Sequence, residues 1–159
     1  MGNNKLTDTI FSIVIIGFCY TCNKQPLSNK SIDFTNEFVF TKGIEGPATD
    51  SKGNLYAVNF KEEGTIGIVD SKGNASLFAK LPLNSIGNGI RFDKNDNMFI
   101  ADYVNHNIFQ IKKGEKTVRI YASSPSLNQP NDLAISPNGS LYASDPNWDN
   151  NTGNLWLIK

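Results

Sequence analysis

Apolar residues along this chain come in short clusters rich in β-branched and aromatic side chains, and small polar turns separate them. Leu55-Tyr56-Ala57-Val58, Met98-Phe99-Ile100-Ala101 and Leu141-Tyr142-Ala143 are three such clusters, each preceded by a turn rich in Asn, Ser, Gly or Asp. This is the signature of strands joined by tight turns, and no stretch sustains a helical period beyond a few residues. The clusters also recur. Glu45–Phe60 (EGPATDSKGNLYAVNF), Asn88–Tyr103 (NGIRFDKNDNMFIADY) and Asn131–Pro146 (NDLAISPNGSLYASDP) align without a gap at an offset of 43 residues both times. Tyr56, Phe99 and Tyr142 share one column, and Leu55, Met98 and Leu141 the next. Asp50, Asp93 and Ser136 open the turns. Gly53, Asp96 and Gly139 stand where a tight turn requires a left-handed backbone, which Gly, Asn and Asp tolerate best.

A strand-only period of this length predicts β-propeller blades of four short strands. The remaining strands fall at 65–69 and 75–81 in the first period, at 107–111 and 118–122 in the second, and at 153–158 in the third. The pentapeptide Asp-Ser-Lys-Gly-Asn occurs at 50–54 and again at 70–74, so one turn chemistry closes two hairpins of the first blade. The expected class is therefore all-β, with a partial propeller over 33–159 and blades near 44–81, 87–123 and 130–159. The segment 33–42, apolar at Phe38, Val39 and Phe40, reads as one further strand, suited to the outer position of a final blade. The third blade shows no fourth strand, which implies either the N-terminal part of a larger protein or a ring assembled from several chains.

Composition narrows the functional classes. Fifteen basic and fifteen acidic residues leave no net charge, so no nucleic-acid partner is expected. Both cysteines, Cys19 and Cys22, end an apolar run over 10–20 that is too short for a comfortable membrane span and fits a secretory signal over 1–22. The alternative is an uncleaved N-terminal anchor. Thr21-Cys22-Asn23-Lys24 also resembles the end of a bacterial lipoprotein signal, which makes Cys22 a lipidation candidate. A polar linker over 23–32 follows. The expected location is outside the cytoplasm, periplasmic or tethered to a membrane through an N-terminal lipid. The Cys-x-x-Cys spacing has no second ligand pair to complete a zinc site.

The repeat also places polar side chains in register. Antiparallel pairing about the first turn of each blade sets Glu45 opposite Asn59, Asn88 opposite Asp102 and Asn131 opposite Asp145, with directly paired side chains about 5 Å apart. First strands line the channel of a propeller, so these six oxygen-bearing residues are expected at one of its mouths. Carboxylates and amide carbonyls converging on an axis suit a hard cation such as Ca2+. The alternative is that they cap strands and hydrogen-bond turns. His106, the single histidine, lies in the loop after Asp102, and Trp148 lies in the corresponding loop of the third blade.

Two motifs carry a resemblance. Glu45-Gly46-Pro47 resembles the opening Glu-Gly-Pro motif of the senescence-marker/gluconolactonase (regucalcin-like) family. Gln129–Pro146 is similar to that family's Ser-Pro-Asn-Asp … Asp-Gly-Ser-(Leu/Ile)-Tyr-Phe-Thr-Asp-Pro segment. The resemblance covers about 45–159 and implies a six-bladed, metal-dependent lactonase. Carried over by motif, Glu45 and Asn131 are metal ligands. Asn88 is kept as a channel-mouth residue, and Asp102 and Asp145 are substrate-contact or supporting candidates. From their loop positions, His106 is a candidate acid or base or a solvated loop residue, and Trp148 a wall of a substrate pocket or a cover for blade edges. The family's catalytic base comes from a later blade and has no counterpart in this sequence. The implied activity is hydrolysis of a sugar lactone or related ester with a divalent metal, most simply Ca2+. The alternative is a non-catalytic propeller that binds a ligand or partner protein on its loop face.

Overall fold

A computed structural model describes residues 29–159, and the compact body runs from Asp33 to Lys159. The proposed signal segment, with Cys22, lies outside the described residues. The body contains three antiparallel sheets. The first comprises β1 (Ala48–Thr49), β2 (Leu55–Val58), β3 (Thr65–Val69) and β4 (Ala75–Lys80), hydrogen-bonded in chain order. The second repeats this with β5 (Gly87–Phe92), β6 (Met98–Asp102), β7 (Asn107–Ile111) and β8 (Arg119–Ser123). The third has three strands, β9 (Leu133–Ile135), β10 (Leu141–Asn147) and β11 (Thr152–Ile158). Each sheet is a meander in which neighbouring strands pair with their successors.

The turns form for the reason their sequences imply. The Asp50 carboxylate accepts from the backbone N–H of Lys52 (3.0 Å) and Asn54 (2.9 Å) and from the Asn54 amide (2.8 Å). Asp93 does the same with Asn95 and Asn97, as does Asp70 with Lys72 and Asn74. The left-handed column is realised at Gly53, Asp96 and Gly139, with φ of 80°, 61° and 88°.

The blades are held together by apolar faces. Tyr56, Val58 and Ile66 of the first pack with Ile90, Met98, Ile100 and Phe109 of the second. Phe99, Ala101 and Ile108 of the second pack with Leu133, Leu141 and Ala143 of the third. Tyr56/Phe99, Val58/Ala101, Ile90/Leu133, Met98/Leu141 and Ile100/Ala143 are column-mates of the 43-residue register, whereas Ile66 and Ile108 are 42 residues apart. Each buried Leu, Ile, Met or Phe contributes about 1.5–3 kcal/mol, so these faces dominate the cohesion between blades.

One expected strand does not form. The segment 33–42 makes a single bridge, Phe40 with Phe60, and Phe38 is 91% exposed at a φ of 64°. The segment lies across the first blade instead. Thr41 N–H donates to the Asn59 carbonyl at 2.9 Å and Lys61 N–H to the Val39 carbonyl at 3.0 Å. The Phe40 ring packs edge-on to Phe60 at 5.8 Å and sits over Gly67 of β3, where a Cβ would meet it at 2.8 Å. Aromatic packing, rather than a ladder, uses the apolar centre of this segment.

Candidate functional site

One end of the sheets carries the tight turns at 50–54, 70–74, 93–97 and 136–140; the other, the loop face, carries the β2–β3, β6–β7 and β10–β11 connections and the entries to β1, β5 and β9. The six oxygen-bearing residues singled out by the register all belong to the loop-face end. The structure divides them into two columns with different duties.

Asn59, Asp102 and Asp145 are buried, at 3%, 0% and 2% exposure, and each ties down the backbone sixteen residues before it. The Asn59 amide donates to the Gly43 carbonyl at 2.6 Å. Asp102 accepts from Ile86 N–H at 3.2 Å, and also from the N–H of Val104 and Asn105 and the amide of Asn107. Asp145 accepts from Gln129 N–H at 2.6 Å, from Asn128 N–H at 3.0 Å and from the Trp156 indole at 2.8 Å. The amide in the first blade donates to a carbonyl where the carboxylates in the other two accept from N–H groups. The contact is conserved in position and reversed in polarity. With their oxygens engaged this way, Asp102 and Asp145 hold the chain that leads into each blade.

Glu45, Asn88 and Asn131 form the other column. Their side chains make no hydrogen bond or ion pair among the described residues; Glu45 is exposed, and Asn88 and Asn131 are half-buried. Backbone contacts chain the three together. A Cβ on Gly46 would sit 2.1 Å from the Asn88 carbonyl oxygen, and Gly89 N–H donates to the Asn131 carbonyl at 2.7 Å. Glycine at 46 and 89 is therefore what lets the entry strands of successive blades approach. The three oxygen donors follow one another along the loop face.

The direct pairings expected across each first hairpin are corrected by the ladders. Asp102 pairs with Gly87 rather than Asn88, because the β5–β6 register slips by one between Gly87 and Ile90. In the third blade the ladder stops at Leu133, and Ser144 bonds to both Asn131 and Asp132. In the first blade it spans only Ala48 and Thr49, so no ladder pair joins Glu45 to Asn59. The irregular stretch is the same in the second and third blades, and it frees the Asn88 and Asn131 side chains from their cross-strand neighbours.

His106, at a φ of 60°, lines a loop-face cleft of about 340 Å³ with Tyr103, Val104, Asn128, Gln129 and Asp149. Trp148 is 70% exposed at the tip of the β10–β11 hairpin, whose ladder continues for seven pairs and ends in a short 3-10 turn. Glu45, Asn88 and Asn131 do not line this cleft. A feature the register did not single out is the Arg91–Asp132 ion pair at 2.8 Å, which bridges the second and third blades beside Asn131. Its signal in the sequence is a charged residue on each of two inner strands, too common to stand out.

The donor set suits a hard cation in kind, being one carboxylate and two amide carbonyls. In number it falls short of the six to eight oxygens that Ca2+ takes. Among the described residues no group of three or more His, Cys, Asp or Glu side chains is arranged to hold a metal.

No family model matches the chain, and no curated protein matches it. Solved structures do. A gluconolactonase from Xanthomonas campestris superposes with a TM-score of 0.64 at 14% identity, covering 76% of this chain and 45% of that one. Virginiamycin B lyase from Staphylococcus aureus gives 0.56 at 15%, covering 80% and 44%. A chain of a nidogen/laminin complex gives 0.58 at 22%, covering 73% and 48%. The chain thus spans less than half the length of each of these neighbours. At such identities the likeness speaks to fold and not to chemistry: the chain has the β-propeller fold, with three successive blade sheets.

Proposed function

We propose that the protein is a metal-dependent hydrolase of a sugar lactone or related ester, working at the loop face with Glu45 and Asn131 as metal ligands. The observation that carries this reading is the division of labour between the two polar columns. Asn59, Asp102 and Asp145 are consumed by the fold, whereas Glu45, Asn88 and Asn131 keep their side-chain oxygens unengaged where the chain enters three consecutive blades. The Glu-Gly-Pro and Pro-Asn-Asp motifs and the gluconolactonase among the structural neighbours support the same reading. Ca2+ is the favoured ion, because every donor is an oxygen. When bound, a divalent cation supplies Lewis acidity to a lactone carbonyl. Asn88 would then donate from its amide to the substrate, and the cleft beside His106 and Asp149 would take the remote part of the ring. Asp102 and Asp145, buried with their oxygens bonded to the fold, do not serve as the base.

The test is calcium binding and lactone hydrolysis by the full chain. Ca2+ is expected to raise the melting temperature and support hydrolysis of glucono-lactone, with both effects lost in Glu45→Gln and Asn131→Ala. Both effects persisting unchanged in the two variants would end the metal reading.

A second reading has its own support. Leu83 and Trp148 are 88% and 70% exposed on the loop face, and Ile44 is 50% exposed. A non-catalytic propeller that binds a partner there would use such side chains, would show no hydrolysis, and would lose its partner in Trp148→Ala.

A further inference from the structure

The 43-residue register creates the same cleft twice on the turn face, and the two copies differ in a way that points to a ligand. Between the first and second blades, Tyr56 and Phe78 stack edge to face at 5.0 Å and floor a cavity of about 320 Å³. Between the second and third, Phe99 and Tyr121 stack in the equivalent columns, also at 5.0 Å, and floor a cavity of about 410 Å³.

The first cleft is closed by its own polar groups. Asp96 crosses from the second blade to the first, accepting from Ser51 N–H at 2.8 Å and Ser51 Oγ at 2.5 Å, and pairs with Lys113 at 2.9 Å. The Tyr56 hydroxyl donates to Asp50 at 3.3 Å, and the Lys116 ammonium lies 5.8 Å from the Phe78 ring centre. In the second cleft the column of Asp96 holds Gly139, beside which a Cβ would meet nothing within 4 Å. The column of Ser51 holds Lys94, and the staple between blades is missing. Four polar groups lining this cavity, the Lys94 ammonium, the Asn95 and Gln110 side-chain amides and the Tyr121 hydroxyl, have no hydrogen bond or ion pair among the described residues. The one acid in the lining, Asp93, spends its oxygens on the N–H groups of its own turn.

We propose that the cleft between the second and third blades is a binding site for a small ring-bearing carboxylate, with the ring against Phe99 and Tyr121 and the carboxylate on Lys94. The size falls in the range of small-molecule pockets, and an apolar floor with a few convergent, unpaired polar groups is how such pockets are built. The unpaired lysine sets the sign of the ligand's charge. The amide of Gln110 and the hydroxyl of Tyr121 supply further donors to the same anion. This site lies at the opposite end of the sheets from Glu45 and Asn131 and does not depend on the hydrolase reading.

The test titrates the full chain with 3-phenylpropionate and follows backbone and side-chain NMR shifts. Saturable shifts at Tyr121, Phe99 and Gln110 are expected. Gly139→Asp would restore a carboxylate opposite Lys94 at a left-handed position that Asp already occupies at residue 96, closing the cleft as the first is closed. It is expected to weaken binding at least about tenfold. Lys94→Gln leaves the packing untouched and is expected to weaken it about fivefold, while the neutral 3-phenylpropanol binds more weakly than the acid. Absence of saturation into the millimolar range would overturn the proposal. So would binding that survives both variants, or shifts at the cleft that follow protein concentration without ligand and so reveal a second copy as the occupant.

Discussion

At the scale of single residues, two aspartates show how similar side chains come to do different work. Asp145 is buried with three backbone or indole donors around its oxygens. Asp145→Ala would leave those donors unmet, and a loss of about 2–4 kcal/mol is expected in urea unfolding. Asp96 sits at the turn face, where the Ser51 hydroxyl first, and then Lys113 and the Ser51 N–H, hold its carboxyl down at about 2 from an ordinary 3.8. A depressed folded-state value means that the unfolded chain takes up the proton first as pH falls. The stabilisation from Asp96 is therefore complete above about pH 3.8 and is lost as pH falls through about 2. The difference in melting temperature between the native chain and Asp96→Asn should be present near neutral pH and close at about pH 2. The turn role of Asp50 and Asp93 was legible in the sequence, because an Asp followed four residues later by Asn is a local motif. The roles of Asp102 and Asp145 were not, because the partner backbone lies sixteen residues upstream and only the folded chain brings it near.

At the scale of strands, the hydrophobic clusters foretold the elements well, since strands half-buried between blades must alternate or run apolar. Register was harder. A direct extrapolation from the turn fails at Asn88, because the inner strand slips where Gly89 presses against the backbone of the next blade. The slip coincides with an inter-blade contact, which pairing within one hairpin cannot reveal. That contact makes a prediction. Gly89→Ala would place a Cβ 2.7 Å from an Asp132 oxygen and 2.8 Å from the Asn131 carbonyl oxygen, and is expected to cost about 2 kcal/mol or more in denaturant unfolding. Gly53→Ala, with open space around it and only a left-handed backbone to resist it, is expected to cost about 1 kcal/mol. The segment 33–42 has the pattern of a strand but does not form one, for a related reason. Its three apolar residues satisfy a strand pattern, but only Phe40 bridges, and its ring covers Gly67.

For the whole body, the repeat carried nearly all the architecture, because a period with strands alone leaves few folds open. What it left unspecified is how the third sheet is covered. Among the described residues β11 pairs only with β10, and Leu155 and Leu157 are 76% and 45% exposed on one of its faces. Exposed apolar side chains in such a pair favour contact with other chains. The double variant Leu155→Lys, Leu157→Lys should lower concentration-dependent association in sedimentation velocity while leaving the melting temperature nearly unchanged.

The sixteen-residue clamp has a consequence for how such a chain can change over generations. Residues 43 and 59, 86 and 102, and 129 and 145 are each sixteen apart, less than one period, so every blade fastens its own entrance to the far end of its own second strand. A duplication or deletion of one whole period would carry a clamp away intact or bring one in intact, without orphaning a buried carboxylate elsewhere. An insertion inside those sixteen residues would do the opposite. Lineages descended from this chain should therefore vary in the number of periods and in the outer loops, while the distance from each clamp residue to its partner stays the same.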